Sequence, residues 1–345
     1  MKAILVPEFI TDPSTLTPTT TPAPKPKPDE YLIRVTHCSP QHADILHAQG
    51  KHQNTHPKKG HVHPPFILGY DFAGVVEQTP SGDNSGELSK GERVFGASIG
   101  AFAEYVAIKP HMLRRIPDGL SSETACAASG QAVSFAAAAY VANVRAGDVV
   151  LVSGASGGLG SACCSAAKAL GARVIALVGD KGKAEAMRRD MDVDEALVME
   201  GEKWVDRVRE ITDGRGVDVV LDNTGMVTEA TRCVAYGGTI VILGFAARKG
   251  EMEEVKMNRL LLKSITLIGY RFGEDGRRYP AKLEEIWDRY LRLLTHGQLK
   301  PFIYGQYNGL GDVGRALKDL AERKVYGRIV VSLGAADASA EKAKL

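Results

Sequence analysis

The sequence predicts an α/β protein of two domains, one a doubly wound parallel sheet and the other rich in β-strands. Three observations lead there. The chain has 345 residues, long for one hydrophobic core. Its first third reads as short strands separated by turn-rich connections. From Gly147 the rhythm changes to apolar strands alternating with amphipathic helices, which implies a parallel sheet covered on both faces. The expected division gives residues 1–120 and 297–345 to the β-rich domain and 121–296 to the parallel-sheet domain.

The early strands are expected at Lys2 to Val6, Tyr31 to His37, Asp71 to Gln78, Arg93 to Gly96 and Ala101 to Ile108. Thr11 to Asp29, dense in Thr and Pro, and Thr79 to Gly91, dense in Ser, Gly and charge, read as loops. Strand Val149 to Ser153 then leads through helix Ser161 to Leu170, strand Arg173 to Val178, helix Lys183 to Asp190, strand Ala196 to Met199, helix Lys203 to Thr212 and strand Val217 to Leu221. Strands Thr239 to Leu243, after a Gly237-Gly238 turn, and Ser264 to Gly269 bring the sheet to six. A helix over Pro280 to His296 leads to Leu299 to Phe302 and a final strand Arg328 to Leu333, which rejoin the first domain. His47 to Pro65 and Phe272 to Tyr279 read as loops lining a substrate site, and Ala335 to Leu345 as a frayed or weakly helical tail.

Composition narrows the partners. With 44% hydrophobic and 24% charged residues and a net charge of +2, the chain has no field able to hold a polyanion, so nucleic acid is not expected. No stretch reaches the about 18 apolar residues of a membrane span, and Met1 to Ile10 carries no leader pattern. The expected address is the cytoplasm. The five cysteines form no CxxC pair, which argues for reduced, buried thiols. A homodimer acting on a small molecule is the expected state.

The segment Ser153, Gly154, Ala155, Ser156, Gly157, Gly158, Leu159, Gly160 places glycines between an expected strand and helix. A pyrophosphate there would meet backbone N–H groups and the positive end of a helix dipole. The spacing is Gly154-x-x-Gly157-x-x-Gly160 rather than strict GxGxxG, so the Rossmann reading rests on the strand–turn–helix context. Cofactor choice is set after the second strand, where an acid grips a ribose hydroxyl and a base accepts a 2′-phosphate. Gly179, Asp180 and Lys183 stand there; Asp180 could serve NAD, but Lys181, Lys183, Arg188 and Arg189 outnumber it, which favours NADPH.

Three pieces of the first domain join this turn in a wider resemblance: Ile67-Leu68-Gly69-Tyr70-Asp71-Phe72-Ala73-Gly74-Val75-Val76, Gly91-Glu92-Arg93-Val94-Phe95-Gly96, and Gly100-Ala101-Phe102-Ala103-Glu104-Tyr105-Val106. With Asp222-Asn223-Thr224-Gly225 and Gly237-Gly238-Thr239-Ile240-Val241, the chain resembles the medium-chain dehydrogenase/reductase superfamily, in its zinc-independent quinone oxidoreductase, zeta-crystallin-like branch. The resemblance implies a Rossmann domain with a GroES-like catalytic domain, and hydride transfer from NADPH to a quinone or an α,β-unsaturated carbonyl. It extends the cofactor's surroundings to Asn223, Gly244, Phe245 and Arg323.

Zinc-dependent members take metal ligands from Cys-His-Thr-Asp and Gly-His-Glu segments. The corresponding residues are Gln41-His42-Ala43-Asp44 and Gly69-Tyr70-Asp71, so an amide and a phenol replace thiolate and imidazole. No metal is expected, and Gln41 and Tyr70 are placed at the substrate end. Related mitochondrial enoyl reductases use a tyrosine as proton donor a few residues beyond the first segment; that place falls at His52, an imidazole able to give a proton near neutral pH. Seven of the nine histidines lie between His37 and His63. A metal-dependent alcohol dehydrogenase using them, and a nucleotide-binding protein without turnover, are the competing readings.

Overall fold

The computed structural model describes residues 1–81, 88–246 and 253–334. The tail from Ala335 and the middle of the Thr79 to Gly91 connection lie outside them. The chain forms two compact units, Met1–Gly130 with the segment from Ile303 onward, and Gln131–Phe302.

The second unit is a six-stranded parallel sheet. Its strands are β1 (Val149–Ser153), β2 (Arg173–Val178), β3 (Glu195–Val198), β4 (Val217–Asp222), β5 (Val234–Ile242) and β6 (Thr266–Gly269), in the order β3-β2-β1-β4-β5-β6. Every residue of β1 is buried, as a strand covered on both faces requires. Leu151, Ile175, Leu177, Val220 and Ile240 anchor the core, each fully buried side chain contributing about 1.5–3 kcal/mol. The order reverses between β1 and β4, so the crevice beyond their carboxyl ends is where such a sheet binds ligands.

The first unit is built on a seven-stranded mixed sheet. Strand Tyr31–Ser39 pairs antiparallel with Asp71–Gln78, Tyr105–Ile108 and Val331–Ser332, and Arg93–Ala97 lies beyond Asp71–Gln78. Ile4, Ile33, Leu68, Phe72 and Phe102 fill its core. A short helix, His42–Ala48, follows the long strand.

Several boundaries differ from expectation. Strand β5 runs through Gly237-Gly238 instead of turning there; a register shift against β4 takes up the irregularity, as a bulge does. Phe272–Arg278 is a helix and not a loop. Glu274 pairs there with Arg277 at 2.7 Å and Arg278 at 2.8 Å, i,i+3 and i,i+4 support that outweighs two helix-weakening glycines. Leu299 to Phe302 forms no strand, since Pro301 has no N–H to give; only a bridge from Ile303 to Arg328 remains, and the last strand shrinks to Val331–Ser332. Ala101 to Ile108 is a regular strand only from Tyr105, with an isolated antiparallel bridge from Ala103 to Ala3 before it. Thr19–Thr20, inside the expected loop, pairs with Lys2–Ala3, and His47 lies in a helix.

Candidate active site

The turn between β1 and the helix that follows is shaped by its glycines. Gly154 has φ +59°, a conformation glycine adopts at little cost. A Cβ on Gly160 would stand 2.1 Å from the Gly154 carbonyl oxygen, whereas one on Gly157 would meet nothing nearer than that oxygen at 3.4 Å. The turn is therefore tightly packed on its inner side and open at Gly157. Helix α1 (Gly158–Ala169) begins here with Gly157 as its N-cap and no side chain capping it. First-turn N–H groups of a helix have no partner within it, so the positive end is left for an anion.

A buried carboxylate holds this turn beside its neighbour. Asp222, at the end of β4, is fully buried. It accepts hydrogen bonds from Ser153 Oγ at 2.5 Å, Thr224 N at 3.0 Å, Gly225 N at 3.1 Å and Met226 N at 2.8 Å. Asn223 donates from its backbone to Ser153 Oγ at 2.9 Å and from its amide to the Ser153 carbonyl at 3.0 Å. Asn223 thus acts first as a latch between two strand ends. Gly244 follows β5, its N–H donating to the Asp222 carbonyl at 3.3 Å, and Phe245 is half exposed. The residues expected around a cofactor in this unit, Ser153 to Gly160, Gly179 to Lys183, Asn223, Gly244 and Phe245, all follow the carboxyl ends of neighbouring strands.

After β2 the structure adds what sequence reading missed. Helix α2 (Lys181–Asp190) starts two residues earlier than expected, with Asp180 as N-cap, its Oδ1 accepting the Lys183 N–H at 2.9 Å. The lysine ammonium lies 3.9 Å from the same carboxylate. Asp180 is thus engaged in capping, and aspartate just before a helical run was the available signal.

In the first unit, Gln41 stands at the N-cap of His42–Ala48 and donates its backbone N–H to Asp44 Oδ2 at 2.8 Å. Its side-chain amide donates to Asp71 Oδ2 at 3.2 Å. Asp71 also pairs with Arg328, 257 residues away and 4% exposed, and accepts from Ser129 Oγ at 3.3 Å. Burial pushes the Asp44 carboxyl up to about 8 and raises the Cys38 thiol above its ordinary range. The expected zinc-ligand positions thus carry an amide bound to a carboxylate that already serves a guanidinium. Among the described residues no three His, Cys, Asp or Glu side chains gather in metal-ligand geometry.

His52 caps a short 3-10 turn, its Nδ1 accepting the Asn54 N–H at 3.1 Å. Its proton therefore sits on Nε2. Burial first, then the nearby His47 and His61, lowers its pKa to about 4. That lowered pKa and the Asn54 contact on Nδ1 both disfavour the cationic imidazole that the sequence reading made a proton donor near neutrality. His52 stacks on His47 at 3.9 Å and 21°, and His47 in turn lies 5.8 Å from Tyr70. Gln41 through Asp71, and Tyr70 through His47, thus reach one region of the first unit. Arg323, at φ +56° beyond helix Val313–Ala321, stands close enough to His42 for its charge to add to burial in lowering the His42 pKa.

Two family models match the chain: "Alcohol dehydrogenase GroES-like domain" over residues 27–118 and "Zinc-binding dehydrogenase" over 158–292. A quinone oxidoreductase-like protein 2 homolog of Nematostella vectensis is 31% identical over 307 residues, covering 87% of this chain and 80% of that protein. A mycobacterial quinone oxidoreductase structure superposes with TM-score 0.83 at 28% identity, over 96% of this chain and 99% of that one. A mycobacterial protein solved in complex with NADPH gives the same score, identity and coverage.

Proposed function

The chain belongs to the medium-chain dehydrogenase/reductase superfamily, in its quinone oxidoreductase branch, and from that footing we propose that it is an NADPH-dependent reductase of quinones or α,β-unsaturated carbonyls that works without catalytic zinc. The observation that carries this reading is the uncapped start of α1 beside the open face of Gly157, at the reversal point of the parallel sheet. The neighbour solved with NADPH supports the cofactor. Lys183 is the residue proposed to meet the 2′-phosphate, because Asp180 is occupied as a helix cap. Gly244, Phe245 and Arg323 are proposed as further cofactor contacts.

When bound, NADPH supplies the hydride, which with one proton from solvent reduces the acceptor by two electrons. The backbone N–H groups at the start of α1 hold the pyrophosphate. Asp222 and Asn223 keep that turn in place through Ser153. His52 donates its Nε2–H to the acceptor's carbonyl oxygen and stabilises the negative charge that develops there; a neutral imidazole is suited to this because its hydrogen bond needs no change of protonation state. Tyr70 and Gln41 border the same region, Gln41 fixed by Asp71. Zinc does not fit this donor set: neither an amide nor a neutral phenol is a good ligand, and Asp71 is committed to Arg328.

We further read the protein as a cytoplasmic homodimer. Among the described residues strand β6 pairs on one side only, and Met257, Leu261 and Leu262 beside it are 70–79% exposed, the kind of apolar edge a second copy covers. No described helix is long and apolar enough to cross a membrane. The function is tested by following NADPH oxidation with a benzoquinone, an enal and an enoyl thioester, each with and without EDTA. Turnover of at least one acceptor, unaffected by the chelator, is expected. No turnover of any, or turnover only with added metal, would overturn the proposal.

A further inference from the structure

His47 has no task in the chemistry above, yet it is only 1% exposed and its ring stacks on both His52 and Tyr70. Its Nδ1 lies 2.8 Å from the Ala43 carbonyl oxygen one helical turn back. A carbonyl can only accept, so Nδ1 carries the proton and Nε2 is left as a lone pair. That Nε2 is buried with no hydrogen-bond partner among the described residues. A second proton would place an unsatisfied N–H and a full charge at this spot, a costlier arrangement than the bare lone pair. Geometry thus keeps His47 neutral and its ring plane fixed.

The same holds at its neighbour. The Asn54 N–H points at Nδ1 of His52, so a proton on that nitrogen would set two donors against each other, and a cationic ring would lie face to face with His47 at 3.9 Å. His61 is close enough to both rings for its charge to disfavour theirs. We infer that His47 is a positioning residue for His52: its ring is the flat wall that fixes the plane of the second imidazole, and hence the direction of the Nε2–H hydrogen bond offered to substrate. This rests on the role proposed for His52. The helix His42–Ala48 supplies the rigidity, because Ala43 and His47 belong to the same helix.

The test uses the full-length protein and the variants His47→Ala, His47→Phe, His52→Asn and the double variant His47→Ala with His52→Asn. Turnover and NADPH dissociation constants are measured, together with the histidine tautomers from nitrogen chemical shifts. His47→Ala should lower kcat roughly tenfold, less than the roughly hundredfold or more lost when a hydrogen-bond donor to the developing oxyanion is removed outright, with the NADPH dissociation constant unchanged. His47→Phe, which keeps a flat ring, should recover most of that loss. The double variant should be no slower than His52→Asn, since residues acting as a unit are non-additive. Additive losses, or an unchanged kcat in His47→Ala, would overturn the inference. Should His47→Ala not fold, His47→Leu is compared with His47→Phe; equal kcat in the two would be equally fatal. If the wild type reduces none of the acceptors, the proposed function fails, and tautomers then decide about His47. A shift of His52 from Nε2–H toward a mixture in His47→Ala supports its role, and an unaltered spectrum refutes it.

Discussion

Two glycine substitutions in the nucleotide turn should have opposite consequences. A Cβ at Gly157 would meet nothing closer than the Gly154 carbonyl oxygen at 3.4 Å, ordinary van der Waals contact, and the backbone there has φ −75°. Gly157→Val should therefore fold with little loss of stability, its branch projecting to the side where a pyrophosphate would lie. Each backbone hydrogen bond to a charged phosphate is worth about 1.5–3 kcal/mol. Displacing two of them should weaken NADPH by about 3–6 kcal/mol, or roughly a hundredfold to ten-thousandfold in dissociation constant. At Gly160 the added carbon would stand 2.1 Å from the Gly154 oxygen and 2.7 Å from Ala155 Cα. Backbone cannot yield by an ångström without cost, so Gly160→Ala should lose about 1–3 kcal/mol of folding stability or more. Calorimetric titration with NADPH and thermal unfolding separate the two effects. A Gly157→Val protein that binds NADPH within threefold of the wild type would refute the assignment of this turn to the pyrophosphate. An undiminished melting temperature in Gly160→Ala would refute the packing argument.

Lys183→Ala should weaken NADPH by about 1.5–3 kcal/mol and leave NADH nearly unchanged, whereas Asp180→Ala should cost about 1 kcal/mol of stability through the lost helix cap and keep the preference for NADPH. Dissociation constants for both cofactors check this, and a wild-type preference for NADH would reverse the reading. On the proposed correspondence of Gln41 and Tyr70 to the ligand positions of zinc-dependent relatives, the purified protein should hold substoichiometric zinc and keep full activity in EDTA; elemental analysis finding one tight zinc per chain, lost together with activity, would contradict it. The buried Asp44 makes a prediction about pH. With its carboxyl at about 8 in the fold against 3.8 ordinarily, the folded chain holds a proton that the unfolded chain releases, so this contribution to stability is fully present below about pH 4 and lost as pH rises through about 8. Relative to wild type, Asp44→Asn should therefore gain stability steadily from pH 4 to 8, and melting curves that stay parallel across that window would show that Asp44 is ionised throughout.

What the sequence determined by itself was the architecture of the second unit and the place of its glycine turn between strand and helix. Both are local signals: apolar runs such as Val149–Ser153 must be buried on two faces, and glycines between strand and helix mark a close backbone approach. The amide and phenol at Gln41 and Tyr70, on which the proposal of zinc independence rests, were equally legible, because they are identities at positions in two short segments. Local competition hid Asp180 as a cap and Phe272–Arg278 as a helix, for aspartate serves ribose and helix ends alike, and glycines mask a helix held by ion pairs. Tertiary structure alone decided the rest. Asp71 meets Arg328 across 257 residues, Asp222 meets Ser153 across 69, and the His47–His52 stack depends on where a helix ends and a turn begins. Charge state follows the same rule: His52 reads in sequence as a group titrating near neutrality, and its burial beside two other imidazoles lowers its pKa, since desolvation and neighbouring charge are properties of the folded surroundings and not of the residue.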